Sequence, residues 1–208
     1  KVEEADVVEP VTTAAFRMTM VRICALLLGI AFGSEVLISQ FVSVLLRTRT
    51  EASDSFAVLA VVVYATMMAI GRFSNSYFLR RFDPIDVLLV QGTGVAIGGV
   101  ILTVSPTAGI TLVGSLIGGL AIAGIVLTVL SYAAAHSPGT AGETASASLL
   151  GGYIGGLFLP LLAGGLTALI SIRAGIALAA VGGLMTIYLA KALKRDAVAE
   201  SRTGGLAQ

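Results

Sequence analysis

Six long apolar runs, each near the ~20 residues that a membrane-spanning helix needs, account for most of this chain, with short polar breaks between them. They cover about residues 18–46, 55–78, 84–104, 108–135, 144–170 and 173–193. Inside lipid every backbone polar group must be paired, so only helices and closed barrels span. A barrel would show alternating segments of roughly ten residues. These runs are longer and apolar all round, so the expected fold class is an all-α membrane protein, a bundle of six transmembrane helices over residues 18–193. A polar, acidic stretch over 1–17 precedes the bundle, and a charged tail over 194–208 follows it. Composition agrees: 12% of the residues are charged, about half of what a soluble domain carries. The chain opens on Lys1 and not Met, and its first residues do not form a signal peptide, so a preceding segment is expected.

The breaks between runs have their own logic. Arg47, Thr48, Arg49, Thr50 and Glu51 end the first run. Asp83-Pro84 reads as a helix cap followed by a first-turn proline, Ser105-Pro106 turns the chain, and His136-Ser137-Pro138-Gly139 ends the fourth run. With six helices, both ends of the segment lie on one side. That side carries Lys1, Arg17, Arg22, Arg72, Arg80, Arg81, Lys191, Lys194, Arg195 and Arg202, against Arg47, Arg49 and Arg173 on the other. The excess of basic residues marks the cytoplasmic face of a cell membrane, inner or plasma. A net charge of +1 gives no surface for nucleic acid. A single cysteine, Cys24, makes neither an internal disulfide nor a metal site, and no cofactor is expected. Small residues recur four apart at Gly29/Gly33, Gly94/Gly98, Gly114/Gly118, Gly151/Gly155 and Gly152/Gly156, a spacing that lets membrane helices approach closely.

Glu35 is the most informative side chain. It lies 13 residues after Arg22 and 12 before Arg47, near the middle of its helix. A carboxylate there is costly, by ~2.5 kcal/mol or more, so it faces a cavity, is paired, or is protonated. Ser39 lies one turn on, and Gln40 and Ser43 widen a polar stripe. Tyr64 and Tyr153 are candidate cavity-lining rings, although aromatic rings are also ordinary packing groups. His136 sits at a helix end, where solvation is the plain reading.

A second signal is Gly71-Arg72-Phe73-Ser74-Asn75-Ser76-Tyr77-Phe78-Leu79-Arg80-Arg81-Phe82. Its guanidiniums can brace helix ends from a short cytoplasmic loop. The segment resembles the G-R-x-x-x-G-x-L-x-x-R-F loop between helices eight and nine of major facilitator transporters. Gly71, Arg72, Arg81 and Phe82 match it. Ser76 replaces the second glycine, Phe78 replaces the leucine, and Arg80 stands where many members carry an acid. Gly33-Ser34-Glu35-Val36-Leu37-Ile38-Ser39-Gln40-Phe41 resembles helix seven of the fucose/glucose/galactose permease branch. The glycine-rich run from Gly151 to Pro160 resembles helix eleven. The likeness takes in nearly the whole chain as helices seven to twelve.

The resemblance implies half of a major facilitator fold, built from 3+3 inverted repeats, with the solute held at the midplane between this half and a missing N-terminal six-helix half. The first, second, fourth and fifth helices would then line the cavity, and the third and sixth would face lipid. The implied function is secondary active transport of a small solute by alternating access, a sugar with proton coupling in that branch. Glu35, Ser39, Gln40, Tyr64 and Tyr153 would serve substrate binding or coupling, and Gly71, Arg72, Arg80 and Arg81 a cytoplasmic gate loop. An efflux carrier for drugs or organic ions stays open within the same superfamily, and a stand-alone six-helix channel or scaffold outside it.

Two chemistries fall away. The run from Val87 to Gly98 mimics a strand and a dinucleotide-binding glycine loop, but the third glycine is Ile97 and no acidic residue follows Asp86 before Glu143. A serine protease within the membrane needs a serine with a histidine in reach, commonly in a G-x-S setting. The chain has no G-x-S, and its one histidine is at a helix end. The chain is expected not to be an enzyme.

Overall fold

The computed structural model describes residues 19–49, 53–136 and 140–204. The segment read as a loop over 1–17, the break residues Thr50 and Glu51, the turn residues Ser137 to Gly139 and the last residues of the tail lie outside the described residues. Every regular element among the described residues is a helix: α1 (Thr19–Arg49), α2 (Asp54–Phe78), α3 (Pro84–Val104), α4 (Ala108–Ile122), α5 (Ile125–Ala135), α6 (Ala141–Leu169) and α7 (Ile172–Gly204). α4 and α5 form one span, so six helices are long and apolar enough to cross a membrane.

Local chemistry sets the helix starts. Ser53 caps α2, its Oγ accepting from the Phe56 N–H at 3.3 Å. The Asp83 carboxylate accepts from the Ile85 N–H at 2.8 Å, with Pro84 in the first turn of α3. Thr107 caps α4 through the Ile110 N–H. Each cap satisfies a backbone donor that has no partner within its own helix. Pro160 removes a donor inside α6, yet the helix runs through it. α7 continues past Leu193 to Gly204, so the charged residues after the last apolar run begin as helix.

α1 is the axis of the bundle. It packs most extensively on α6 and touches α2, α4, α5 and α7 as well, while α3 packs on α7 and on α4. Glycines make the first of these contacts. A Cβ on Gly29 would lie 2.9 Å from the Gly151 carbonyl oxygen, one on Gly151 would lie 2.5 Å from that of Ala25, and one on Gly155 would collide with the backbone of Gly29. The two backbones therefore meet directly, as the glycine spacing on each helix anticipates. A similar seam joins α3 to α7, where Gly92 and Gly99 meet Gly183 and Ala180. α3 turns Val90, Ile97, Val100 and Val104 outward, and α7 turns Val181, Leu184 and Met185 outward. Along their most apolar stretches, α2 and α6 are mostly uncovered, whereas α1 is mostly buried within the bundle. These two helices therefore offer the broadest uncovered faces of the chain.

The fourth span is interrupted at Ala123 and Gly124, which the apolar run does not announce. The reason is a buried polar cluster. The Asn75 amide of α2 donates to the Gly124 carbonyl at 3.2 Å and to Thr128 Oγ1 at 3.1 Å. Gln91 of α3 donates to Asn75 Oδ1 at 2.8 Å. Gly124 lacks the side chain that would fill this space: a Cβ there would collide with Gln91 Nε2 and lie 2.8 Å from Asn75 Cγ. Three spans are thus pinned together by amide and hydroxyl groups that have no water to turn to.

Candidate functional site

Glu35 projects from the middle of α1 toward α2. Its Oε1 accepts from Arg72 Nη2 at 3.4 Å, and the Glu35 side chain is 25% exposed while that of Arg72 is 53% exposed. The family resemblance assigns Arg72 to a gate loop, and here the structure corrects it. Arg72 lies within α2, six residues before the end of the helix at Phe78, and its guanidinium reaches back into the span. Gly71 is likewise helical and buried; a Cβ on it would lie 2.6 Å from the Leu120 carbonyl oxygen, so it lets α2 close on α4. Nothing in Phe73 to Phe78 breaks the helix, and the turn begins only at Leu79. Of the four residues assigned to a gate loop, only Arg80 and Arg81 are in the turn. The Arg81 guanidinium lies 4.7 Å from the centre of the Tyr77 ring, a cation–π contact that holds it beside the end of α2.

The stripe beyond Glu35 is polar but partly self-bonded. Ser39 Oγ donates to the Val36 carbonyl at 2.9 Å and Ser43 Oγ to the Gln40 carbonyl at 3.3 Å. Their protons are committed to the helix, while their oxygens can still accept. The Gln40 side chain belongs to an exposed residue. Tyr64 departs from the expected lining role. It is 2% exposed, packed against Gly119 of α4, and its hydroxyl donates to the backbone carbonyl of Glu35 at 3.4 Å. It holds the turn that carries the carboxylate and has no open face for a solute. Tyr153 is 68% exposed on α6 and meets the edge of Phe32, one turn before Glu35, with ring centroids 5.7 Å apart. Glu35, Ser39, Gln40, Arg72 and Tyr153 are thus carried by three neighbouring helices, two of which are the least covered of the bundle. His136 lies away from them, stacked on Tyr132 at 4.1 Å, with its Nδ1 2.9 Å from the Tyr132 carbonyl oxygen.

By sequence, Glu35 lies in mid-span and must face a cavity, be paired or be protonated. The partner is Arg72 of this same chain. Residue counting can find it. Glu35 lies 14 residues before Arg49, and Arg72 lies 18 residues after Asp54, on two antiparallel helices joined at that end. The difference of four residues is ~6 Å of rise, a gap that an arginine side chain bridges. The cluster of Asn75, Gln91 and Thr128 is a second feature that the motifs do not reveal. Its signal is single polar residues inside apolar runs, each of which must find a partner in a neighbouring helix.

No protein-family model matches the chain, and no curated protein matches it. Among solved structures it is similar to a major facilitator superfamily transporter, FucP, in the outward conformation. That superposition has a TM-score of 0.75 at 17% identity and covers 86% of this chain and 44% of the transporter. It is also similar to a single-residue variant of the E. coli fucose:proton symporter FucP, with a TM-score of 0.72 at 19% identity, covering 87% of this chain and 44% of that one. The chain therefore spans less than half the length of these structures. The six spans have the fold of one half of a major facilitator superfamily transporter, a multi-pass membrane protein.

Proposed function

We propose that this chain is the C-terminal half of a secondary active transporter that moves a small polar solute by alternating access. The observation that carries the reading is the Glu35–Arg72 pair, two opposite charges held inside the span on the uncovered side of a half-transporter fold. Charges at that depth are retained where they face a partner or a water-filled path. The uncovered faces of α2 and α6 would meet an N-terminal six-helix half, with the solute between the two. One of the similar structures is described as a fucose:proton symporter, which supports a sugar-like solute and proton coupling. The test is uptake by the native carrier in proteoliposomes, across a panel of sugars, sugar acids and organic cations, with and without a pH gradient. Saturable uptake of at least one class, lost on dissipating the driving gradient, is the expected result. Gradient-independent flux of many ions would replace it with a channel, and outward pumping of hydrophobic cations with an efflux carrier.

The orientation follows from the basic residues: both ends of the segment and the turn after α2 on the cytoplasmic side. A membrane-impermeant maleimide should label Arg80→Cys from the cytoplasmic face alone and Ile170→Cys from the opposite face alone. Cys24 is fully buried and gives no background. Labelling of both positions from one face would overturn the orientation.

A further inference from the structure

Arg72 and Glu35 are joined by one long contact between single atoms, not by the two parallel bonds that a guanidinium and a carboxylate can form. Arg72 is the more exposed partner, and the rest of its planar fork has no acceptor among the described residues. A second carboxylate could therefore approach it from the open side. On α1 the oxygens of Ser39 and Ser43, one and two turns beyond Glu35, can accept hydroxyl protons from a solute, and Gln40 is exposed beside them. The other charged residues of α1 and α2, Arg22, Arg47, Arg49 and Asp54, lie in the end turns of those helices. α3, α4, α5 and α6 carry no Asp, Glu, Lys or Arg beyond Asp86 and Glu143 in their first turns, and α7 carries none between Arg173 and Lys191. The remaining titratable neighbours of α1 are phenols: Tyr64 on the Glu35 backbone, Tyr153 on Phe32, and Tyr132 in α5 beside His136.

We propose that the solute is a small hydroxylated monocarboxylate which displaces Glu35 from Arg72, and that Glu35 takes up one proton as it is displaced. This rests on the transporter reading and names its substrate class. An unpaired carboxylate inside the span is costly, so losing Arg72 and gaining a proton are linked. The charge count closes. Before binding, the site holds Arg72⁺ and Glu35⁻; afterwards it holds Arg72⁺, the bound carboxylate and neutral Glu35. One anion and one proton cross together, and transport is electroneutral. A neutral sugar would leave the pair intact and make no use of the guanidinium fork.

The experiment measures uptake of radiolabelled gluconate, glucuronate, lactate and galactose by proteoliposomes of the native carrier. With an inward gradient of about one pH unit, one proton per anion accumulates the preferred carboxylate about tenfold. An imposed potassium diffusion potential should leave that rate unchanged, and galactose should neither accumulate nor compete. Glu35→Gln should keep carboxylate counterflow and lose pH-driven accumulation. If that variant does not fold, proton uptake by the wild-type carrier in detergent on adding the carboxylate, one per anion bound, reads the same linkage. Galactose accumulation without any carboxylate uptake would leave the transporter reading standing and overturn this one. So would carboxylate uptake that follows the membrane potential. No gradient-driven uptake of any solute in the wider panel would overturn both.

Discussion

Replacing Gly155 by leucine should prevent α6 from docking on α1 and leave the chain unable to assemble into a monodisperse bundle in detergent. A Cβ at this position collides with the backbone of Gly29, and its neighbours are equally tight: one on Gly33 would lie 2.7 Å from the Gly155 carbonyl oxygen. Overpacking a close-packed interior typically costs about 1–3 kcal/mol when side chains can shift. Here the obstacle is main chain on main chain, so relief requires the helices to separate along the most extensive contact of the fold. Gly155→Ala should already lower the midpoint of thermal unfolding by several degrees. Gly164 and Gly165 lie on the same helix with open space around their Cβ positions, so alanine at either should leave the midpoint unchanged. Scanning fluorimetry and size-exclusion chromatography of the four variants make the comparison. A Gly155→Leu chain that elutes and melts like the parent would refute the α1–α6 contact.

The glycines of that contact are legible in the amino-acid sequence because their message is local. Paired glycines four residues apart share one helix face whatever the helix does elsewhere. The cap at Asp83-Pro84 and the six spans are readable for the same reason: each is a property of a few consecutive residues. The features that local pattern misses depend on how two helices are rotated and staggered against each other. Arg72 reads as part of a loop because it opens a motif that ends in Arg80 and Arg81, and its contact with Glu35 emerges only once α1 and α2 are aligned. Tyr64 looks like a lining group, but Gly119 leaves a hollow that its ring fills. The break at Gly124 is hidden in an unbroken apolar run, because its cause, the Asn75 amide, arrives from another helix.

Removing the guanidinium of Arg72 should lower both stability and transport, and neutralising Glu35 as well should restore only the first. Arg72→Ala strands Glu35 in the span without its partner. Breaking a fully buried pair costs roughly 3–5 kcal/mol and losing an exposed one ~0.2–1 kcal/mol. With the two side chains 53% and 25% exposed, this pair lies between those limits. The variant should therefore melt at a lower temperature than the parent, and its transport should fall at least a hundredfold. Glu35→Gln removes the charge that needs a partner and keeps the shape, so its melting midpoint should stay near that of the parent. The double variant, Arg72→Ala with Glu35→Gln, should regain the stability lost in Arg72→Ala, because no charge is left unpaired, and should remain transport-dead. A double-mutant cycle on unfolding gives the coupling between the two residues directly, and uptake measured on the same four proteins gives the functional effect. Recovery of both quantities in the double variant would mean that the pair only holds the helices together. Recovery of stability alone assigns Arg72 to the transport path.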